Sequence, residues 1–323
     1  LRRQRQMCIR DSSMPQLMNF AVELRMYSWG LFFVTASFIY AYDILNKNST
    51  WKSWGILTLL TIASAYTHYF SAVASFVIYL FLLADLIRNN KNELKKYFTS
   101  AIIAILSFTP WLIILKQQAA SVSSSYWIAP ITLNKILGYF WFVLSPDNQV
   151  INANQIAAFS VLGLLLLIGV IVLLIKSDKK DTYGILIAVC VPIIGIILSL
   201  IIKPVFHPRY LIPVLGCLWL GVSILLGKNF SNKKIFIPIF VIILLVASVG
   251  CVNFTQTQIN DQINDSNKIQ SLEETFGSGN LIIYDAFVPY FEMNSYYLTD
   301  DHNFMLTVTE DKDFNTTATV SYT

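Results

Sequence analysis

Charge is scarce in this sequence. Only 13% of its 323 residues are Asp, Glu, Lys or Arg, against about 25% in an ordinary soluble domain. Polar helix faces are missing too. The blocks Ile156–Ile175, Ile185–Ile202 and Ile235–Val252 run without one, which excludes amphipathic surface helices there. Cysteine is sparse: Cys8, Cys190, Cys217 and Cys251 show no CxxC spacing, and the last three lie in or at the end of apolar blocks. A disulfide framework and a thiolate metal site are excluded, and those three read as small apolar side chains. The three histidines, His68, His207 and His302, have no ligand spacing. No cofactor is expected, and a divalent-metal requirement is not readable.

What the chain has is hydrocarbon: 55% hydrophobic residues and a mean hydropathy of +0.57. Crossing about 30 Å of bilayer takes ~20 apolar residues at 1.5 Å rise each. Eight segments qualify, at about 26–44, 54–70, 71–87, 98–115, 156–175, 183–202, 210–227 and 235–252. The second and third form a tight hairpin around the polar residues His68 and Ser71. The expected fold class is an all-α polytopic membrane protein of about eight spans, followed by a small C-terminal α+β segment.

Basic residues orient the spans. Loops 45–53, 88–97, 176–182 and 228–234 carry twelve Lys and Arg, whereas loops 116–155 and 203–209 carry four. The first set is expected in the cytoplasm. The start of the first span, the His68 turn, loop 116–155 and the C-terminal region are then expected outside.

Three regions follow. Residues 1–13 (LRRQRQMCIRDSS) are basic, lack apolar periodicity and resemble a translated sequencing adapter; they read as an artefact or disordered tail, with a basic cytoplasmic tail as the alternative. Residues 14–252 form the membrane domain. Residues 253–323 hold eleven Asp and Glu against Lys268 and Lys312, and form an external module that is expected to be incomplete. Within it Asn280–Asp285 reads as a strand and Pro289–Leu298 as a helix, while Asp311–Thr323 shows no clear core pattern.

Charges at span ends are costly near lipid unless paired or wet, so three clusters attract notice, all on the expected external face. In Glu23-Leu24-Arg25-Met26-Tyr27, Glu23 and Tyr27 share one helix face; the plain reading is a helix cap with interfacial anchors. Tyr66-Thr67-His68-Tyr69-Phe70 places a histidine among aromatics, suited to phosphate, to a stacked sugar, or to an aromatic belt. Lys203-Pro204-Val205-Phe206-His207-Pro208-Arg209-Tyr210 packs three candidate cations, Lys203, His207 and Arg209, into a proline-restricted loop. That suits an anion such as a lipid phosphate, or simple snorkelling. In loop 116–155, Tyr126, Trp127, Phe140, Trp141 and Phe142 stand out. Leu133–Leu144 is a candidate amphipathic lid over a lipid-linked substrate, or a loop packed on the spans. Asp147 has no evident role.

Together, Glu23-Leu24-Arg25-Met26-Tyr27, Tyr66-Thr67-His68-Tyr69, Thr109-Pro110-Trp111 and Arg209-Tyr210-Leu211-Ile212-Pro213 resemble, over about residues 15–255, the polytopic glycosyltransferases of the C superfold (GT-C), in particular the bacterial family-39, protein-mannosyltransferase-like branch. The resemblance implies transfer of a sugar from a polyprenyl-phosphate donor to a lipid, glycan or protein acceptor on the extracytoplasmic face of a bacterial plasma membrane. It implies membrane lipids and no nucleic acid as partners. Glu23, Arg25, Tyr27 and His68 correspond to the family's active-site patch, and Arg209 to its late arginine beside the donor phosphate; Lys203, His207 and Tyr210 are the candidates to join Arg209 there. The family's catalytic carboxylate lies in a first external loop that this sequence does not contain. About three spans and the base are therefore expected upstream, and this piece alone is expected to be inactive. The alternatives are a transporter or flippase, or an O-antigen ligase or polymerase, acting on a lipid-linked glycan, and a structural membrane subunit. Against transport, the span interiors carry almost no charge and no inverted repeat is visible.

Overall fold

The computed structural model describes residues 26–46, 49–121, 131–132, 136, 142, 153–201, 204–276, 281–284, 302–309 and 317–321. The chain divides into two compact units, Leu1–Phe254 and Thr255–Thr323.

The described helices of the first unit are α1 (Tyr27–Leu45), α2 (Trp51–Thr67), α3 (Tyr69–Asn89), α4 (Leu94–Phe108), α5 (Trp111–Ser121), α6 (Ala153–Ile175), α7 (Tyr183–Ile201), α8 (Ile212–Lys228) and the start of α9 (Lys233–Phe276). Short 3₁₀ turns at Lys179–Thr182 and Pro208–Leu211 lead into α7 and α8. Five described segments are long and apolar enough to cross a membrane: Tyr27–Leu45, Tyr69–Asn89, Lys179–Ile201, Pro208–Lys228 and Lys233–Val252. Of the other three expected spans, one falls on helix α2, of 17 residues, and one on α6, whose 23 residues cover the expected 156–175 and whose described apolar part is Ser160–Ile175. The single span expected at 98–115 is two helices, α4 and α5, separated by Thr109–Pro110. Pro110 has no N–H to give the Leu106 carbonyl, and its ring crowds that carbonyl. Residues 116–121, expected in a loop, complete α5, and most of the loop beyond lies outside the described residues. The last span was expected to stop at 252, but α9 continues to Phe276.

Helix boundaries follow from local chemistry. Thr50 caps α2, its Oγ1 accepting from the Ser53 N–H at 3.1 Å, as small hydroxyl residues do at helix starts. The hairpin between α2 and α3 breaks at His68, whose backbone is extended (φ −160°, ψ 141°).

The helices meet through apolar and small side chains. Val34, Leu57, Val191 and Cys217 are fully buried, while Ile105, Ile113, Ile175 and Leu200 point outward, as lipid-facing residues would. Helix α8 approaches its neighbours so closely that only glycine fits. A Cβ on Gly216 would collide with Thr35 of α1, and one on Gly184 of α7 would lie 2.6 Å from the Cys217 carbonyl oxygen. Hydroxyls bridge the rest: Ser100 of α4 bonds Thr58 of α2 and Tyr79 of α3, each at 2.6 Å, and Ser64 bonds Ser75 at 2.6 Å. Such contacts hold helices together where hydrophobicity cannot.

The connections gather at two ends. At one end, Tyr27 contacts His68, His68 contacts Tyr210, and Trp111 donates to the Tyr69 hydroxyl. At the other, Lys180 donates to Asn46 at 2.6 Å and Lys96 to the Ser49 carbonyl at 3.2 Å.

In the second unit, β1 (Leu281–Tyr284), β2 (His302–Thr309) and β3 (Thr317–Ser321) form one sheet in the order β1-β2-β3. The first pair is parallel, Leu281 opposite His302; the second is antiparallel, Met305 opposite Ser321. Strand β1 falls on the stretch expected to be a strand. Strand β3 lies where no core pattern is visible: main-chain pairing to β2 holds a segment whose side chains signal little. The helix expected at Pro289–Leu298 lies outside the described residues.

Candidate functional site

The site grows out of three helix starts that meet at one end of the first unit. Tyr27 opens α1 and is 2% exposed. His68 precedes α3, and its Nδ1 accepts the Phe70 N–H at 3.1 Å. His207 precedes the turn into α8, and its Nδ1 accepts the Arg209 N–H at 3.4 Å. Both histidines thus cap a helix start in the same way, through an acceptor that reaches the amide two residues on. In each, that bond assigns Nδ1 as the acceptor and Nε2 as the N–H nitrogen.

Rings assemble around this frame. His68 lies between Tyr27, at 5.5 Å between centroids, and Tyr210, at 5.0 Å. Tyr210 stacks on Phe70 at 5.1 Å with planes 20° apart, and the His207 ring stands 6.0 Å from it. Arg209 places its guanidinium carbon 5.9 Å from the Tyr210 centroid, within cation–π reach. Phe206 closes the base at 5.1 Å from Phe70. Beneath it, Gly195 of α7 has no side chain because a Cβ would lie 2.4 Å from the Phe206 ring. The buried Ser199 hydroxyl accepts from the N–H groups of Val205 and Phe206 at 3.0 and 2.9 Å. It thereby fixes the loop that carries His207 and Arg209.

Burial, reinforced by the Arg209 charge, drives the His68 imidazole down to about 4. Near neutral pH His68 is therefore an uncharged N–H donor, and Arg209 carries the site's positive charge. One fixed cation, imidazole N–H groups and phenols make a recognisable anion-binding set, and the ring faces suit a sugar.

Of the residues expected at the site, the structure brings together Tyr27, His68, His207, Arg209 and Tyr210. Glu23, Arg25 and Lys203 lie outside the described residues. Sequence reasoning missed Phe70 as a stacking partner, Ser199 as the loop anchor and Gly195 as the floor. A serine and a glycine inside an apolar helix were the available signals.

Beside the site, α6, α7 and α8 leave an apolar cavity of about 330 Å³, lined in part by Pro192, Ile196, Leu211, Leu218 and Trp219. Among the described residues, no group of three or more His, Cys, Asp or Glu could hold a metal ion.

The architecture is that of a polytopic helical membrane protein, with five described helices long and apolar enough to cross a bilayer. Set against family models, curated proteins and solved structures, the chain matches none.

Proposed function

We propose that this chain is a membrane glycosyltransferase of the GT-C type with about eight spans, which takes a sugar from a polyprenyl-phosphate donor. The observation that carries this reading is the convergence of Arg209, His207, His68, Tyr27 and Tyr210 on one patch from three separate helix starts. An apolar cavity adjoins that patch. The lipid phosphate pairs with Arg209, and the lipid chain follows the cavity between α7 and α8. The acceptor is a lipid, glycan or protein.

The lysine-rich connections at the opposite end orient that end toward the cytoplasm. The ring site and the acidic Thr255–Thr323 unit then face outside a bacterial plasma membrane, the latter as a small α+β module. Among the described residues, the buried side-chain charge is Asp181, at the opposite end from the site. A flippase would need a polar path between the two ends.

In the reaction, a general base takes the proton of the acceptor hydroxyl, whose oxygen attacks the anomeric carbon with inversion as the bond to phosphate breaks. Arg209 meets the negative charge that grows on the departing lipid phosphate, and the imidazole N–H groups complete its hydrogen bonds. The test is transfer from a polyprenyl-phosphate sugar by the full-length protein in vesicles. Arg209→Ala reduces transfer by about 10²-fold or more, the range for loss of one transition-state donor, with membrane insertion unchanged. Near-normal turnover of that variant contradicts the assignment.

A further inference from the structure

The helices that carry the ring site also share a second junction at their far ends. Helix α1 begins at Tyr27 and carries Tyr42 near its close, where the Tyr42 hydroxyl donates to Asp181 Oδ1 at 2.6 Å. Helix α8 follows Arg209 and Tyr210 and ends at Lys228, whose Nζ lies 3.6 Å from Asp181 Oδ2. Helix α3 follows His68 and carries Asp85 in its last turns, where it accepts from the Tyr183 hydroxyl at 3.2 Å. Asp181 and Tyr183 flank one residue of the turn into α7. Asp181 is 1% exposed, and a buried carboxylate is costly unless bonded on several sides. Lys228 is the cation paired with it; Lys180, its neighbour in sequence, is taken up by Asn46 at 2.6 Å.

Between the two junctions lie the tight glycine contacts, Gly216 against Thr35 and Gly184 against Cys217. On α1, Thr35 stands about 12 Å from Tyr27 and about 10 Å from Tyr42 at 1.5 Å rise per residue. Packed helices move as stiff bodies about such contacts. A tilt released at one end of α1 therefore reappears, with opposite sign and similar size, at the other.

We propose that Asp181 is a positioning residue for the ring site. By tying Tyr42 of α1 and Lys228 of α8 to the turn before α7, it sets how far apart Tyr27 and Tyr210 stand on either side of His68. Its bearing on sugar transfer rests on the function proposed above; its bearing on the site's geometry does not.

The test reads the site without any substrate. Carbon-13 histidine resonances of the full chain in lipid nanodiscs give the titration midpoint of His68, assigned with a His68→Asn control. That midpoint reports how closely the neighbouring rings and Arg209 enclose the imidazole. In Asp181→Ala and in Tyr42→Phe the midpoint rises toward the free-imidazole value of about 6.5 by ~0.5 or more. Asp181→Asn, which still accepts from Tyr42 but does not pair with Lys228, falls between these and the parent. A midpoint unmoved in a folded Asp181→Ala overturns the proposal. Should that variant not fold, an unmoved midpoint in Tyr42→Phe does the same. Failure of sugar transfer with the expected His68 shifts would instead count against the function and leave the positioning role standing.

Discussion

His68 and Tyr210 stand with ring centroids 5.0 Å apart, although one closes the α2–α3 hairpin and the other leads into α8. Neither ring is placed by its own helix alone. His68 is held by the extended break in the hairpin, and Tyr210 by the turn that His207 caps and Ser199 anchors. The contact joins these two supports into one site.

The anchor is tested by Ser199→Ala. Its hydroxyl accepts two main-chain N–H groups, from Val205 and Phe206, and removing it leaves both without that acceptor. The expected cost is about 1–3 kcal/mol, the range for an unsatisfied buried group. Hydrogen exchange at those two amides should quicken, with exchange in α1 unchanged.

The floor is tested by Gly195→Val. A Cβ there would lie 2.4 Å from Phe206 and 2.8 Å from Phe70, and both rings contact Tyr210. Overpacking of this kind costs about 1–3 kcal/mol, which thermal unfolding in detergent measures. Gly227→Ala, whose Cβ would meet nothing within 4 Å, is the neutral control.

The histidine is tested by pH. Folding lowers the His68 imidazole to about 4 from about 6.5 in the unfolded chain. Between those values the unfolded chain binds the extra proton, so this contribution to stability is intact above about 6.5 and lost as pH falls toward 4. His68→Asn keeps an acceptor for the Phe70 N–H and has nothing to titrate. Its unfolding temperature should therefore fall less than the parent's between pH 7 and pH 4.5.

The spans were legible because a bilayer demands long apolar blocks, and Ile185–Ile202 or Ile235–Val252 admit no soluble reading. The break inside 98–115 was harder to see. Thr109-Pro110-Trp111 sits in an apolar run, and hydropathy averages over a single missing N–H. Tyr27, His68, His207, Arg209 and Tyr210 stood out because polar or cationic groups at span ends need a reason. Ser199, Gly195 and the Asp181 clasp did not stand out. Their roles depend on which helix lies opposite, and one sequence carries no information about that pairing. Asp181 in particular is hidden among the lysines of its own loop, and only the fold shows it buried against Tyr42.

The most direct test is binding of a polyprenyl monophosphate and of the matching polyprenol to the purified protein, by quenching of tryptophan fluorescence, in the parent and in Arg209→Ala. The account predicts that the parent prefers the phosphate about tenfold or more, the worth of one charge-assisted contact of ~1.5–3 kcal/mol, and that Arg209→Ala abolishes the preference while binding the alcohol as before. Equal binding of both lipids by the parent, or a preference that survives the loss of Arg209, would contradict it.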